Sequence, residues 1–276
     1  MKHIVTILSA LVLFASCKNG DEKPELKETD KIASVMEPAI QGSWVMEDYI
    51  TDLQKTKSPL ASSAKLEGLV SIDIDTRGHT GDSSSVSGSL NNHEGVAFYV
   101  YFRKGQNGNA IPTNYSDNEG DSYELDYTVV NADTMLIMYH YDKAKKLLDK
   151  RNYTKWKEPV ADYDEPSGLQ RFANTALLAG KYKATDDKGK VYNWELSKGG
   201  NLIGVEGHNT YYIFTDFLGE GDGYKIDELC FDKSEKTQKP FIFEIKGDTV
   251  LFYGASEDKE RTKLIKGELK YTLVKQ

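Results

Sequence analysis

The chain has 276 residues, 43 of them acidic and 35 basic, for a formal net charge of −8, with seventeen Tyr, seven Pro and two Cys. An acidic surface repels nucleic acid and anionic lipid headgroups, so neither is expected as a partner. Many aromatics with little proline favour strands over disorder, and the length holds one large domain or two small ones, each able to bury a core.

The first element is Met1-Lys2-His3, an apolar run from Ile4 to Ala15, then Ser16-Cys17. A basic start, a short apolar core and small residues ahead of a cysteine form a secretory signal, residues 1–16, cut just before Cys17. The run is shorter than the ~20 residues a membrane-crossing helix needs. Phe14-Ala15-Ser16-Cys17 resembles a bacterial lipobox, with Phe14 where that pattern prefers Leu. The resemblance implies a diacylglycerol on the Cys17 thiol and a palmitate-type acyl chain on its amine. It also implies a place in the cell envelope as an outer-membrane lipoprotein, facing the periplasm or exposed at the surface. Several acyl chains, at about 0.8 kcal/mol per buried CH₂, make a durable anchor. Asp21-Glu22 resembles the export signal of surface lipoproteins in Bacteroidota. An ordinary signal peptide that ends near a cysteine is the alternative. Loss of residues 1–16 removes one Lys and leaves 260 residues with a net charge of −9. With Cys17 acylated, Cys230 has no disulfide partner within the chain and is expected as a small buried hydrophobe.

Residues 17–29 are charged and aperiodic, a lipidated flexible tether. The chain then repeats itself. Ile32, Val35, Met36 and Ile40 fall at helical spacing, with Thr29 or Asp30 as cap, and lead into Gly42-Ser43-Trp44. Leu169, Phe172, Ala176 and Leu177 do the same, with Ser167 as cap, and lead into Gly180-Lys181-Tyr182. Asp133-Thr134-Met135 and Asp248-Thr249-Val250 begin matching late hairpins. Both triplets also match the short O-glycosylation sequon of Bacteroidota, though turn chemistry explains them as well. The expected division is a first domain at 30–157, a linker at 158–166 rich in Pro and acid, and a second domain at 167–276. A single large sandwich is the other arrangement.

Candidate strands in the second half are 180–186, 191–198, 201–206, 209–217, 224–232, 239–246, 249–256 and 264–274. The first half has them at 43–50, 66–75, 96–103, 123–131, 134–142 and 151–157, with loops at 76–92 and 105–120. The fold class expected is all-β: two tandem small antiparallel up-and-down barrels, each preceded by a short helix. These openings and meanders resemble lipocalin-like domains of the kind found in lipoproteins of Bacteroidota, over residues 40–157 and 177–275. The resemblance implies that Trp44, and Tyr182 in its place in the second half, are structural plugs at closed barrel ends. It offers Arg151 as a partner for Trp44, and it implies a cup for a small apolar or amphipathic ligand.

Catalytic signatures are lacking: there is no Gly-x-Ser-x-Gly, His-Glu-x-x-His or Cys-x-x-Cys. His79 and His93 flank the Ser-rich stretch and read as a solvated pair rather than a metal site. Asp117–Asp121 has the oxygen spacing of a calcium loop but the wrong glycine, Gly219–Gly223 lacks the ending of a phosphate loop, and Asp73/Asp75 share a strand face. No cofactor and no metal are expected. The aromatic strands supply the ligand candidates Phe98, Tyr99, Tyr101, Tyr211 and Phe214. The function expected is that of a non-enzymatic, lipid-anchored envelope protein. It binds a small amphipathic ligand or glycan in or on a barrel, or it is a pocketless interaction module with an outer-membrane protein as partner.

Overall fold

The computed structural model describes residues 26–79, 81–116, 120–158, 168–218, 225–260 and 262–276. The signal, most of the tether, nearly all of the 158–166 linker and Ser167 lie outside these residues. The fold is all-β with short helices. The first sheet holds β1 (Gly42–Met46), β2 (Leu69–Ile74), β3 (Ser83–Leu90), β4 (Glu94–Tyr101), β5 (Ile111–Pro112), β6 (Ser122–Val130), β7 (Asp133–Tyr141) and β8 (Leu147–Lys155). The second holds β9 (Gly180–Asp186), β10 (Val191–Leu196), β11 (Leu202–Ile203), β12 (Tyr211–Ile213), β13 (Glu228–Phe231), β14 (Lys239–Lys246), β15 (Thr249–Glu257) and β16 (Leu264–Lys275).

In both sheets every pairing is antiparallel, and the first strand of the set lies beside the last, β1 on β8 and β9 on β16. The two remaining edges meet across single bridges. Val100 pairs with Thr113 between β4 and β5, and Asn201 pairs with Thr210 beside β11 and β12. Closure removes the unpaired edges of an open sheet.

One end of each barrel is built the same way. Helix α1 (Glu28–Ile40) leads into β1, and the Trp44 indole N–H donates to the Ile40 carbonyl at 2.7 Å. Helix α4 (Gly168–Leu177) leads into β9, and the Tyr182 hydroxyl donates to the Leu178 carbonyl at 2.7 Å. Both bonds span four residues, and both rings are buried. Trp44 faces Lys155 across the ladder as Tyr182 faces Lys275. Gly42 and Gly180 have φ of 125° and 155°, and a Cβ on either would come within 2.8 or 2.9 Å of Lys155 or Lys275 respectively. The lysine stem therefore lies over the glycine, and the Lys155 ammonium sits 5.1 Å from the Trp44 ring centre. Arg151 does not take that place; it donates to the Glu67 carbonyl.

Several elements differ from expectation: the 105–120 stretch expected as a loop carries the short β5, and the strands expected at 201–206, 209–217 and 224–232 are cut to β11, β12 and β13. The first strand ends at Met46 rather than at residue 50, and Glu47–Thr56 forms helix α2, followed by the short helix α3 (Pro59–Ser62). Tyr49, Ile50 and Leu53 fall at helical spacing and are buried, and Glu47 and Asp48 suit the positive end of the helix dipole. The Ser-rich stretch expected as loop contains β3, paired on both sides. Its hairpin turns through Asn91, Asn92 and His93, the first two at positive φ. Within β3, Gly88 leaves room for the Ser71 carbonyl, 2.7 Å from where a Cβ would sit. Neither Thr29 nor Asp30 caps α1; both lie within its first turn.

The two barrels are joined by a helical layer. Helix α4 touches β1 and β2 on one side and β12 on the other, and it packs against α2. The Lys57 ammonium donates to the Ala176 carbonyl at 3.2 Å, the Leu60 N–H to Asp227 at 2.8 Å, and the Asn92 amide to the Thr215 carbonyl at 2.8 Å. Trp156 meets Phe172 edge to face at 5.2 Å. Replacing Tyr182 with Phe removes one oxygen from the second barrel's closed end. The expected loss is about 1–2 kcal/mol in urea unfolding, and an unshifted midpoint would show that the bond to Leu178 contributes nothing.

Candidate functional site

Alternation along the strands sends one face of each inward. In the second barrel the inward rings fill the axis. Phe231 lies 4.9 Å from Phe241 and 6.0 Å from Phe252, and Trp194 lies 4.8 Å from Tyr271 and 6.2 Å from Phe231. Tyr211 belongs to this interior: its hydroxyl donates to the Ser197 carbonyl at 2.7 Å, and burial pushes its pKa up. In the first barrel Phe98 is buried and packs on Tyr115 at 5.4 Å. Tyr99 and Tyr101 do not share one environment with it. Tyr99 is 49% exposed, whereas Tyr101 is half-buried beside the Arg103 guanidinium, 5.1 Å from its ring centre. Phe214 is half-buried on the outside of the second barrel, 5.3 Å from Tyr212, with the Lys233 ammonium 3.6 Å from the Tyr212 ring centre. The five ligand candidates thus fall in separate places, two inside different barrels and three outside.

A polar rim at the end of the first barrel away from Trp44 was not anticipated. Tyr123 stacks on His140 at 4.4 Å with ring planes 4° apart, and Tyr115 lies 4.8 Å from Tyr123. His140 sits between two carboxylates, 2.9 Å from Asp121 through Nε2 and 3.5 Å from Asp149 through Nδ1. Strand register does this: Tyr123, His140 and Asp149 lie side by side on β6, β7 and β8. The alternation Tyr123, Leu125, Tyr127 was the available signal for an inward Tyr123.

The second barrel has a related pair. His208 Nδ1 meets Asp232 at 2.7 Å, and the His208 ring packs 5.4 Å from Phe231. His79 and His93, expected near each other, instead meet Glu37 and Asp216, each at 2.7 Å. Every described histidine is therefore held by a carboxylate. Among the described residues no group of three or more His, Cys, Asp or Glu is placed to hold a metal ion. Asp73 is half-buried, which raises its pKa, and Asp75 is exposed and binds Arg77. Asp117–Glu119 and Gly219–Gly223 lie outside the described residues. Cys230 is buried, and burial raises its thiol pKa.

Among the described residues, two clefts stand beside the barrels. A cleft of about 350 Å³ is lined by Phe214, Phe217, Ile226 and Pro240 together with Asp216, Glu228 and Glu257. Another of about 400 Å³ lies between the barrels, against Leu66, Asn91, Phe217 and Lys225. This geometry defines a pair of antiparallel barrels, the second with a chain of packed rings inside it. Set against known proteins, the chain matches no family model and no curated relative.

Asp232 offers a pH test. Burial works to raise its pKa, but donors from the Asn209 and Thr210 N–H groups and from His208 outweigh this and hold it at about 2. A carboxylate depressed in the folded state stabilises above its ordinary pKa, and that contribution fades as pH falls from about 4 toward 2. Asp232→Asn is expected to destabilise the protein at neutral pH and to flatten the fall of the urea midpoint between about pH 4 and 2. An unaltered acid profile would contradict the assignment.

Proposed function

We propose that the chain is a lipid-anchored, non-catalytic protein of the cell envelope, lipocalin-like in kind, that acts as an interaction module rather than as a ligand cup. Trp44 and Tyr182 are its structural plugs, and Cys17 is its acylated residue. The observation that supports this reading is the ring packing along the second barrel's axis, from Trp194 through Phe231 to Phe241 and Phe252. Small barrels filled in this way have no interior volume for a guest. Partners then meet the outer walls, the rims and the helical layer, which suits an accessory component of an outer-membrane assembly.

A second reading places a small glycan on the barrel rather than in it. The cleft at Phe214 supports it, because aromatic faces beside carboxylate acceptors suit a sugar ring. Phe214→Ala is then expected to abolish any signal the chain gives on an array of soluble oligosaccharides.

Native mass spectrometry of the protein taken from its own envelope tests the leading reading. The expected spectrum is the chain from Cys17 with its acyl groups and no released small molecule. A stoichiometric guest liberated on unfolding would contradict the pocketless module. Cys17→Ser is expected to move the protein out of the detergent phase, and unchanged partitioning would contradict the anchor.

A further inference from the structure

The geometry points to helix α1 and the neighbouring 103–111 segment as a membrane-facing surface, one that rests on the lipid bilayer to which the chain is tethered; this builds on the proposed anchor at Cys17. A cleft of about 290 Å³ lies between the two elements, floored by Ile32, Val35, Met36 and Ile111. Val35 is 57% exposed although it sits on the apolar pattern of the helix, and Leu26, two residues before the helix, is 60% exposed. An amphipathic helix that leaves apolar side chains in water beside an apolar cleft has a face suited to the headgroup and acyl boundary.

Charge and chain length favour the same occupant. Lys31, Arg103 and Lys104 rim the cleft, with Glu28 the carboxylate among its lining, 3.0 Å from Lys104. The chain as a whole is at −8, whereas the lining of this cleft carries three basic groups against one carboxylate, with Asp30 and Glu37 of the same helix outside that lining. Basic groups near anionic headgroups contribute about 1 kcal/mol each within a Debye length. Leu26 lies nine positions after Cys17, at most about 32 Å of extended chain. An anchor that short keeps α1 near the bilayer and makes even weak contact effective through high local concentration. The expectation from overall charge, that anionic lipid is avoided, is thereby reversed for this face alone.

The test uses the full mature chain with Cys17→Ser, which carries no acyl group, and sedimentation with vesicles of about one-third phosphatidylglycerol in phosphatidylcholine. The parent is expected to sediment with these vesicles at low salt and less with phosphatidylcholine alone. Val35→Asp is expected to weaken association roughly tenfold. Arg103→Glu with Lys104→Glu is expected to remove the salt dependence. Leu218→Asp, at an exposed apolar residue of the inter-barrel cleft, is expected to change nothing. Failure of the parent to sediment, Val35→Asp binding like the parent, or Leu218→Asp losing as much as Val35→Asp would each overturn the inference. Mass spectrometry of Cys17 reports separately on the anchor. An unmodified Cys17 removes the anchor and leaves a positive vesicle result standing, whereas an acylated Cys17 with unbound vesicles removes only the docking face.

Discussion

Both barrels depend on one short-range interaction, a hydrogen bond from the first inward ring of the sheet to a carbonyl four residues earlier, at the end of the preceding helix. Trp44 to Ile40 and Tyr182 to Leu178 are the same construction made with different side chains. An orphaned helix-end carbonyl finds a donor, and a large ring is fixed beneath the helix that leads into it. The lysine that ends the last strand lies across the glycine that starts the first, at Gly42 with Lys155 and at Gly180 with Lys275. Chain entry and chain exit are thereby closed together in each half.

Fixing a ring at one end has consequences along the axis. Inward positions of the second barrel carry Trp194, Phe231, Phe241, Phe252 and Tyr271, whose rings touch one another. Polar chemistry is displaced to the rims, where His140 and His208 are each paired with an aspartate and packed on an aromatic ring. Such pairs orient a ring and satisfy a carboxylate.

Much of this fold was legible because period-two alternation and turn residues are local signals. The repeat of helix, Gly-x-aromatic strand and closing hairpin located the matching ends at Trp44 and Tyr182. What was not legible has physical reasons. β3 is rich in serine, and its strand identity comes from two neighbouring ladders rather than from its own side chains. Tyr49 and Ile50 extend an apparently continuous strand until the buried helical face through Leu53 is seen. Phe98 and Tyr211 read as binding aromatics because alternation does not say whether an inward face meets a void or another ring. The His–Asp pairs and the contacts of Asp227 and Thr215 join residues far apart in sequence, with no local signature at either partner. Residue type alone points to Arg151 as the cation beside Trp44, but register decides it, and register brings Lys155 there.

Solvent exchange of the Trp44 indole proton, followed by NMR in the intact chain, tests the central construction most directly. A donor held to the Ile40 carbonyl at a fully buried site is predicted to exchange only through global opening, with a protection free energy that tracks the urea-derived stability. Exchange within seconds in a chain that is otherwise folded would show that the helix does not close the barrel end, and the account built on it would fail.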